Sequence, residues 1–140
     1  MKTKEALVFG AGNIGRGFLG DLLHQSRYHT TFVDVDKNKV ELINQEKGYP
    51  LVVVSSCSKL ERMVNNVAAV SFVDTDKVTA AIVNADVILT AVGKGALSYV
   101  AGALSVGLVE RTKQRPRDEL HSVVIACENV QDNSTYLRNM

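Results

Sequence analysis

An apolar run, Ala6-Leu7-Val8-Phe9, passes directly into Gly10-Ala11-Gly12-Asn13-Ile14-Gly15. Apolar residues then recur at Ile14, Phe18, Leu19, Leu22 and Leu23. The first run has the pattern of a strand buried on both faces, and the later spacing predicts one face of a helix. The three glycines at the joint take separate tasks. Gly10 permits a tight turn out of the strand, Gly12 leaves room for a pyrophosphate, and Gly15 lets helix and strand pack closely. The free N–H groups and positive dipole end of the helix attract phosphate. A strand before and a helix after raise this G-x-G-x-x-G above a chance cluster of glycines. Gly10, Ala11, Gly12, Asn13, Ile14 and Gly15 are therefore expected to line a dinucleotide site.

Asp34 follows Gly15 by about 20 positions, at the end of a second β-branched and aromatic run, Thr30 to Val35. A carboxylate there accepts hydrogen bonds from adenosine ribose hydroxyls and repels a 2′-phosphate, which favours NAD over NADP. Lys37 and Lys39 leave some room for NADP. The alternative is that Asp34 only starts a turn, with Asp36 capping the next helix.

Further along, the predicted elements keep alternating. A helix holds Val40 and Ile43 on one face and stops at Gly48. Leu51–Val54 and Val67–Val73 read as strands, with the polar Ser55–Lys59 and a short segment, Leu60–Asn66, between them. This predicts an antiparallel excursion into the third main strand. A helix follows through Val78, Ala81, Ile82 and Ala85, capped by Thr75 or Asp76. Asp86–Gly93 reads as a strand, and Leu97, Val100, Ala101, Leu104 and Leu108 as a long helical face. Glu110–Leu120, charged and containing Pro116, reads as a loop, Ser122–Cys127 as a last buried strand, and Asn133–Met140 as helical. The fold class is α/β, a Rossmann-type doubly wound, mainly parallel sheet with a β-hairpin excursion between the second and third main strands.

Composition narrows the function. The chain has 140 residues, 46% hydrophobic and 22% charged, with net charge +1, so residues 1–140 suit one folded domain. Near-neutrality argues against a nucleic-acid partner. No apolar stretch reaches the roughly 18 residues of a membrane span, and no secretory signal is visible. Cys57 and Cys127 lack any C-x-x-C spacing, which points to reduced thiols, a cytoplasmic setting and no metal site.

Ligands of such sheets sit beyond the carboxyl ends of the strands. Val92 and Gly93 end one strand and would let a cofactor approach the backbone. Ala126-Cys127-Glu128-Asn129 ends another, so Asn129 is a candidate neighbour of nicotinamide or substrate. Arg16 faces either phosphate or solvent. His29 and His121 precede strands and belong to the opposite rim, while His24 lies on the polar side or end of the first helix. The run Arg111, Lys113, Arg115, Arg117 alternates with acids and reads as a solvated loop. No acid–base pair emerges, so no catalytic residue is assigned.

Phe9-Gly10-Ala11-Gly12-Asn13-Ile14-Gly15-Arg16-Gly17-Phe18, with Thr31–Asp36, Thr90–Gly93 and Ala126–Asn129 in order, resembles the mannitol-1-phosphate 5-dehydrogenases of the polyol-specific long-chain dehydrogenase family. The resemblance covers the chain but only the N-terminal, dinucleotide-binding half of such enzymes. It implies NAD-dependent interconversion of mannitol 1-phosphate and fructose 6-phosphate, with a catalytic lysine, asparagine and histidine on a C-terminal helical domain. That domain would hold the sugar phosphate. The piece alone is expected to be inactive and to self-associate weakly through apolar surface left bare. The competing reading is a nucleotide-sensing regulatory module of a channel or transporter, which has this fold and needs no catalytic base.

Overall fold

The computed structural model describes residues 2–140. β1 (Lys4–Phe9) ends at Gly10, and a π-helical turn (Gly15–Leu19) leads into α1 (Gly20–Gln25). There follow β2 (Tyr28–Asp34), α2 (Lys37–Glu46), β3 (Gly48–Val54), β4 (Lys59–Asn65), β5 (Val67–Ser71), α3 (Thr75–Asn84), β6 (Val87–Thr90), α4 (Leu97–Gln114), β7 (Val123–Ala126) and α5 (Asn133–Arg138). The main sheet has the order β5-β2-β1-β6-β7. Every neighbouring pair in it is parallel. The opening apolar run thus becomes the central strand, with Val8 opposite Phe32 on one side and Leu89 on the other.

Alternate residues of β1 point to opposite faces, and both faces are covered. Ala6, Val8 and Phe32 pack with Leu19, Leu23, Val40 and Ile43 of the first two helices. Leu7, Phe9, Val33 and Ile88 pack with Val78, Ile82, Leu97, Val100 and Leu104 of the later ones. Each fully buried Val, Leu, Ile or Phe side chain contributes about 1.5–3 kcal/mol.

The excursion is a separate two-stranded antiparallel hairpin, β3 with β4, in which Gly48 faces Asn65 and Tyr49 faces Val64. Its return strand, Lys59–Asn65, was hidden in the sequence because alternating Lys59, Glu61 and Asn65 lack a continuous apolar signal. Val67 onward pairs with β2 in the main sheet, not with the hairpin. Tyr49 roots the hairpin: its ring meets Phe32 edge-on at 6.2 Å, and its hydroxyl donates to the Arg16 carbonyl at 2.7 Å. Arg62 pairs with Asp21 of α1 at 3.1 Å.

Five local expectations change. Of the expected apolar face of the first helix, only Leu19 and Leu23 are buried, whereas Ile14, Phe18 and Leu22 are 55%, 58% and 48% exposed. They form a second stripe that faces away from the sheet. Asp36 does cap α2, accepting from the Lys39 amide, but the left-handed residue that ends it is Lys47 (φ 52°), and Gly48 opens β3. Asp74 caps α3 through the Lys77 amide, ahead of Thr75 and Asp76. Glu110–Gln114, expected to be loop, continues α4. β7 is an edge strand with Val123 and Ile125 exposed, so it is buried on one face only.

Arg111 explains why α4 runs on. It is 2% exposed, and its guanidinium donates to the carbonyls of Ile82, Val83 and Ala85 at the end of α3. It also donates to Glu119, Leu120 and His121 before β7. Burial, with the nearby Arg115 charge, pushes its pKa down, yet an arginine stays protonated in a protein. Within a run that reads as solvated, one arginine stitches a helix end to a connecting loop.

Candidate dinucleotide site at the carboxyl edge of the sheet

The carboxyl ends of β1, β2, β5 and β6 open onto a cleft of about 510 Å³, lined by Gly10, Gly12, Asp34, Val35, Lys39, Phe72, Val92, Tyr99 and neighbours. That volume falls within the roughly 300–1,000 Å³ of small-molecule sites. The first and third glycines are demanded by the fold itself. Gly10 has φ +99°, and a Cβ there would run into the Ala91 carbonyl; a Cβ on Gly15 would meet the Gly10 carbonyl. Gly12 differs: nothing lies within 4 Å of where its Cβ would be. The protein leaves this space empty at the mouth of a helix.

Asp34 sits at the end of β2 with its side chain 11% exposed. One carboxylate oxygen accepts the Ala11 amide at 2.8 Å, and the other accepts the Asp36 amide at 2.9 Å. Lys39 Nζ lies 3.5 Å away. Burial alone would raise its pKa, but the two amides and the Lys39 charge outweigh burial and hold the carboxyl below its usual value. Asp34 therefore makes the turn contact of the competing reading and also faces the cleft. Each oxygen retains a lone pair for a ligand hydroxyl.

The remaining expected positions divide. Gly10, Gly12, Asp34 and Val92 share the cleft wall. Ala11 and Gly15 are buried, whereas Asn13, Ile14, Gly93 and Asn129 are exposed and lie outside that wall. Gly93 has φ +84°. Arg16 is engaged by the protein, with Nε donating to the Ala11 carbonyl at 2.6 Å and its guanidinium 5.9 Å from the Tyr49 ring. Glu128 accepts the Val92 and Gly93 amides, both at 2.8 Å. Burial and the Glu128 charge push the Cys127 thiol pKa up, which makes it a poor nucleophile.

At the opposite end of the strands His29 meets Glu5 at 2.7 Å, and His121 lends only its carbonyl to Arg111. His24 contacts the Asn65 carbonyl of the hairpin at 3.2 Å. Among the described residues no cluster of three or more His, Cys, Asp or Glu is placed to hold a metal. No described helix is long and apolar enough to cross a membrane. The apolar wall from Phe72, Ala96, Tyr99 and Val100 escaped the sequence reading. Position was its only signal, since Phe72 directly follows β5 and Tyr99 falls in the first turn of α4.

Comparison with known proteins places this geometry in context. The mannitol dehydrogenase Rossmann domain matches residues 4–140. Mannitol-1-phosphate 5-dehydrogenase of Oceanobacillus iheyensis is 46% identical over 136 residues, 96% of this chain and 34% of that protein. The Brevibacillus brevis enzyme of the same name is 41% identical over 135 residues, 95% of this chain and 33% of that protein. The chain thus spans about a third of the length of these curated relatives. In structure, a ketopantoate reductase of Ralstonia eutropha JMP134 matches with TM-score 0.64 at 18% identity, over 97% of this chain and 38% of its own. The TrkA-N domain of the Escherichia coli inner membrane protein ybaL gives 0.56 at 17% identity, over 99% and 82%. These two likenesses are of fold alone, and nothing in the comparisons favours a regulatory module of a channel or transporter. With its match running from residue 4 to residue 140, the chain belongs to the mannitol dehydrogenase family through its Rossmann domain.

Proposed function

We propose that this chain is the NAD(H)-binding domain of a mannitol-1-phosphate 5-dehydrogenase, which interconverts mannitol 1-phosphate and fructose 6-phosphate. One observation carries the reading: Gly12 stands open beside two glycines that the fold closes in. A pyrophosphate fits that opening, since no side chain competes for the space beside Gly12 and a helix N-terminus favours phosphate. When bound, NAD supplies the hydride acceptor.

The chain's own residues bind and orient. The turn from Gly10 to Gly15 receives the diphosphate. Asp34 accepts hydrogen bonds from the adenosine ribose and repels a 2′-phosphate, an effect softened by Lys39 at 3.5 Å. Val92 and Gly93 give the cofactor a close backbone approach, and Asn129, at the end of β7, neighbours the reacting carbon. Fixed orientation is this domain's share of catalysis. Proton transfer falls to a lysine on a C-terminal helical domain, which also holds the sugar phosphate, in a cytoplasmic enzyme. Titration of the 140-residue chain with NADH and NADPH tests the reading. NADH is expected to bind at micromolar or weaker affinity and in preference to NADPH, without oxidation of mannitol 1-phosphate. Failure to bind either nucleotide would overturn the reading, equal affinities would overturn the role of Asp34, and turnover by the pure chain would overturn the division of labour.

A further inference from the structure

We propose that Glu128 is a positioning residue for the nicotinamide half of the dinucleotide, acting through the loop after β6. The inference rests on the dinucleotide reading above. Its two carboxylate oxygens each take one of two consecutive backbone amides, Val92 at 2.8 Å and Gly93 at 2.8 Å. Hydrogen bonds to an ionised acceptor are about twice as strong as neutral ones, and two to one group also fix direction.

The loop needs such a tie. Gly93 has φ +84° and ψ 155°, a conformation open essentially to glycine. Nothing lies within 4 Å of its Cβ position, so packing does not support it on that side. Glu128 is itself held at both ends. The Cys127 amide donates to the Thr90 carbonyl at 3.0 Å, and Asn133 Nδ2 donates to the Glu128 carbonyl at 3.0 Å. One side chain thereby joins the ends of β6 and β7. It couples Val92, a wall of the cleft, to Asn129, the next residue in the chain.

The clamp also settles where an anion goes. Two converging amides form a small anion-binding concavity. Glu128 occupies this one from within, which leaves the Gly10–Gly15 turn as the open phosphate site. Adenosine lies toward Asp34 at the end of β2, so the chain of a dinucleotide crossing that turn runs toward β6 and β7. Glu128 therefore acts on the nicotinamide half and leaves the ADP-ribose half alone.

Glu128→Ala and the milder Glu128→Gln test this, with circular dichroism to confirm folding. Glu128→Gln keeps one acceptor oxygen and decides the matter if Glu128→Ala does not fold. In ligand-free protein, amide exchange at Val92 and Gly93 is expected to speed up about tenfold or more in the variant, with β1 amides unchanged. NADH affinity should fall about tenfold while ADP-ribose affinity stays within about twofold, with Glu128→Gln intermediate. Unchanged exchange at both amides, or equal effects on NADH and ADP-ribose, would overturn the proposal. A wild-type chain that binds neither ligand would overturn the dinucleotide reading and this one's ligand half, while the exchange comparison still judges the clamp.

Discussion

The Asp34 carboxylate accepts the Ala11 amide at 2.8 Å, so one ionised side chain ties the end of β2 to the glycine turn that ends β1. Two backbone amides and Lys39 hold its pKa below the ordinary value against the opposing effect of burial. A carboxyl whose folded pKa is depressed stabilises the fold fully above its unfolded pKa and loses that contribution as pH falls through the folded value. Thermal unfolding followed from about pH 7 to about pH 3 should show Asp34→Asn flattening the acid limb. Parallel curves for variant and wild type would remove Asp34 from the acid response.

The glycines separate folding from binding. Gly12→Ala meets no neighbour and should fold with stability within about 1 kcal/mol of wild type, yet lose most nucleotide affinity. Gly15→Ala drives a methyl into the Gly10 carbonyl and should lose about 1–3 kcal/mol or fail to fold. Denaturant melts alongside NADH titrations distinguish the two, and a Gly12→Ala chain that binds normally would place the phosphate elsewhere.

Arg111→Ala strips a hydrogen-bond donor from six carbonyls and leaves a void beneath α4. A loss of about 3–4 kcal/mol is expected, among the larger effects of single substitutions. Lys113→Ala, at an exposed position in the same run, should change stability by less than about 0.5 kcal/mol. Urea melts giving similar midpoints would contradict the buried role.

Ile14, Phe18 and Leu22 beside the glycine turn, with Val123 and Ile125 on the edge strand, are exposed apolar side chains. Light scattering across a concentration series should show weak self-association of this chain, reduced by Phe18→Ser with Leu22→Ser. A constant monomer mass at the highest concentration would count against it.

The alternation of strand and helix was plain in the sequence because both periods are regular and because Gly10, Gly15 and Asp34 hold positions set by backbone geometry. What escaped has a physical cause in each case. The first helix carries apolar residues on two adjoining stripes, and periodicity alone does not say which one meets the sheet. Arg111 looks like its charged neighbours, since burial satisfied by carbonyls leaves no acidic partner in the pattern. Glu128 stands far along the chain from the Val92 and Gly93 amides it binds, and only the pairing of β6 with β7 brings them together. The cleft wall of Phe72 and Tyr99 depends on which loops converge, a property of topology.

Gly48 lies opposite Asn65, so the chain departs from the main architecture and rejoins it through a single doorway. The hairpin is consequently a detachable module: residues trimmed from or grafted onto its Ser55–Ser58 tip leave the spacing of β2 and β5 untouched. Tyr49 on the Arg16 carbonyl, Arg62 on Asp21 and the Asn65 carbonyl on His24 tether that module to the helix that carries the glycine turn.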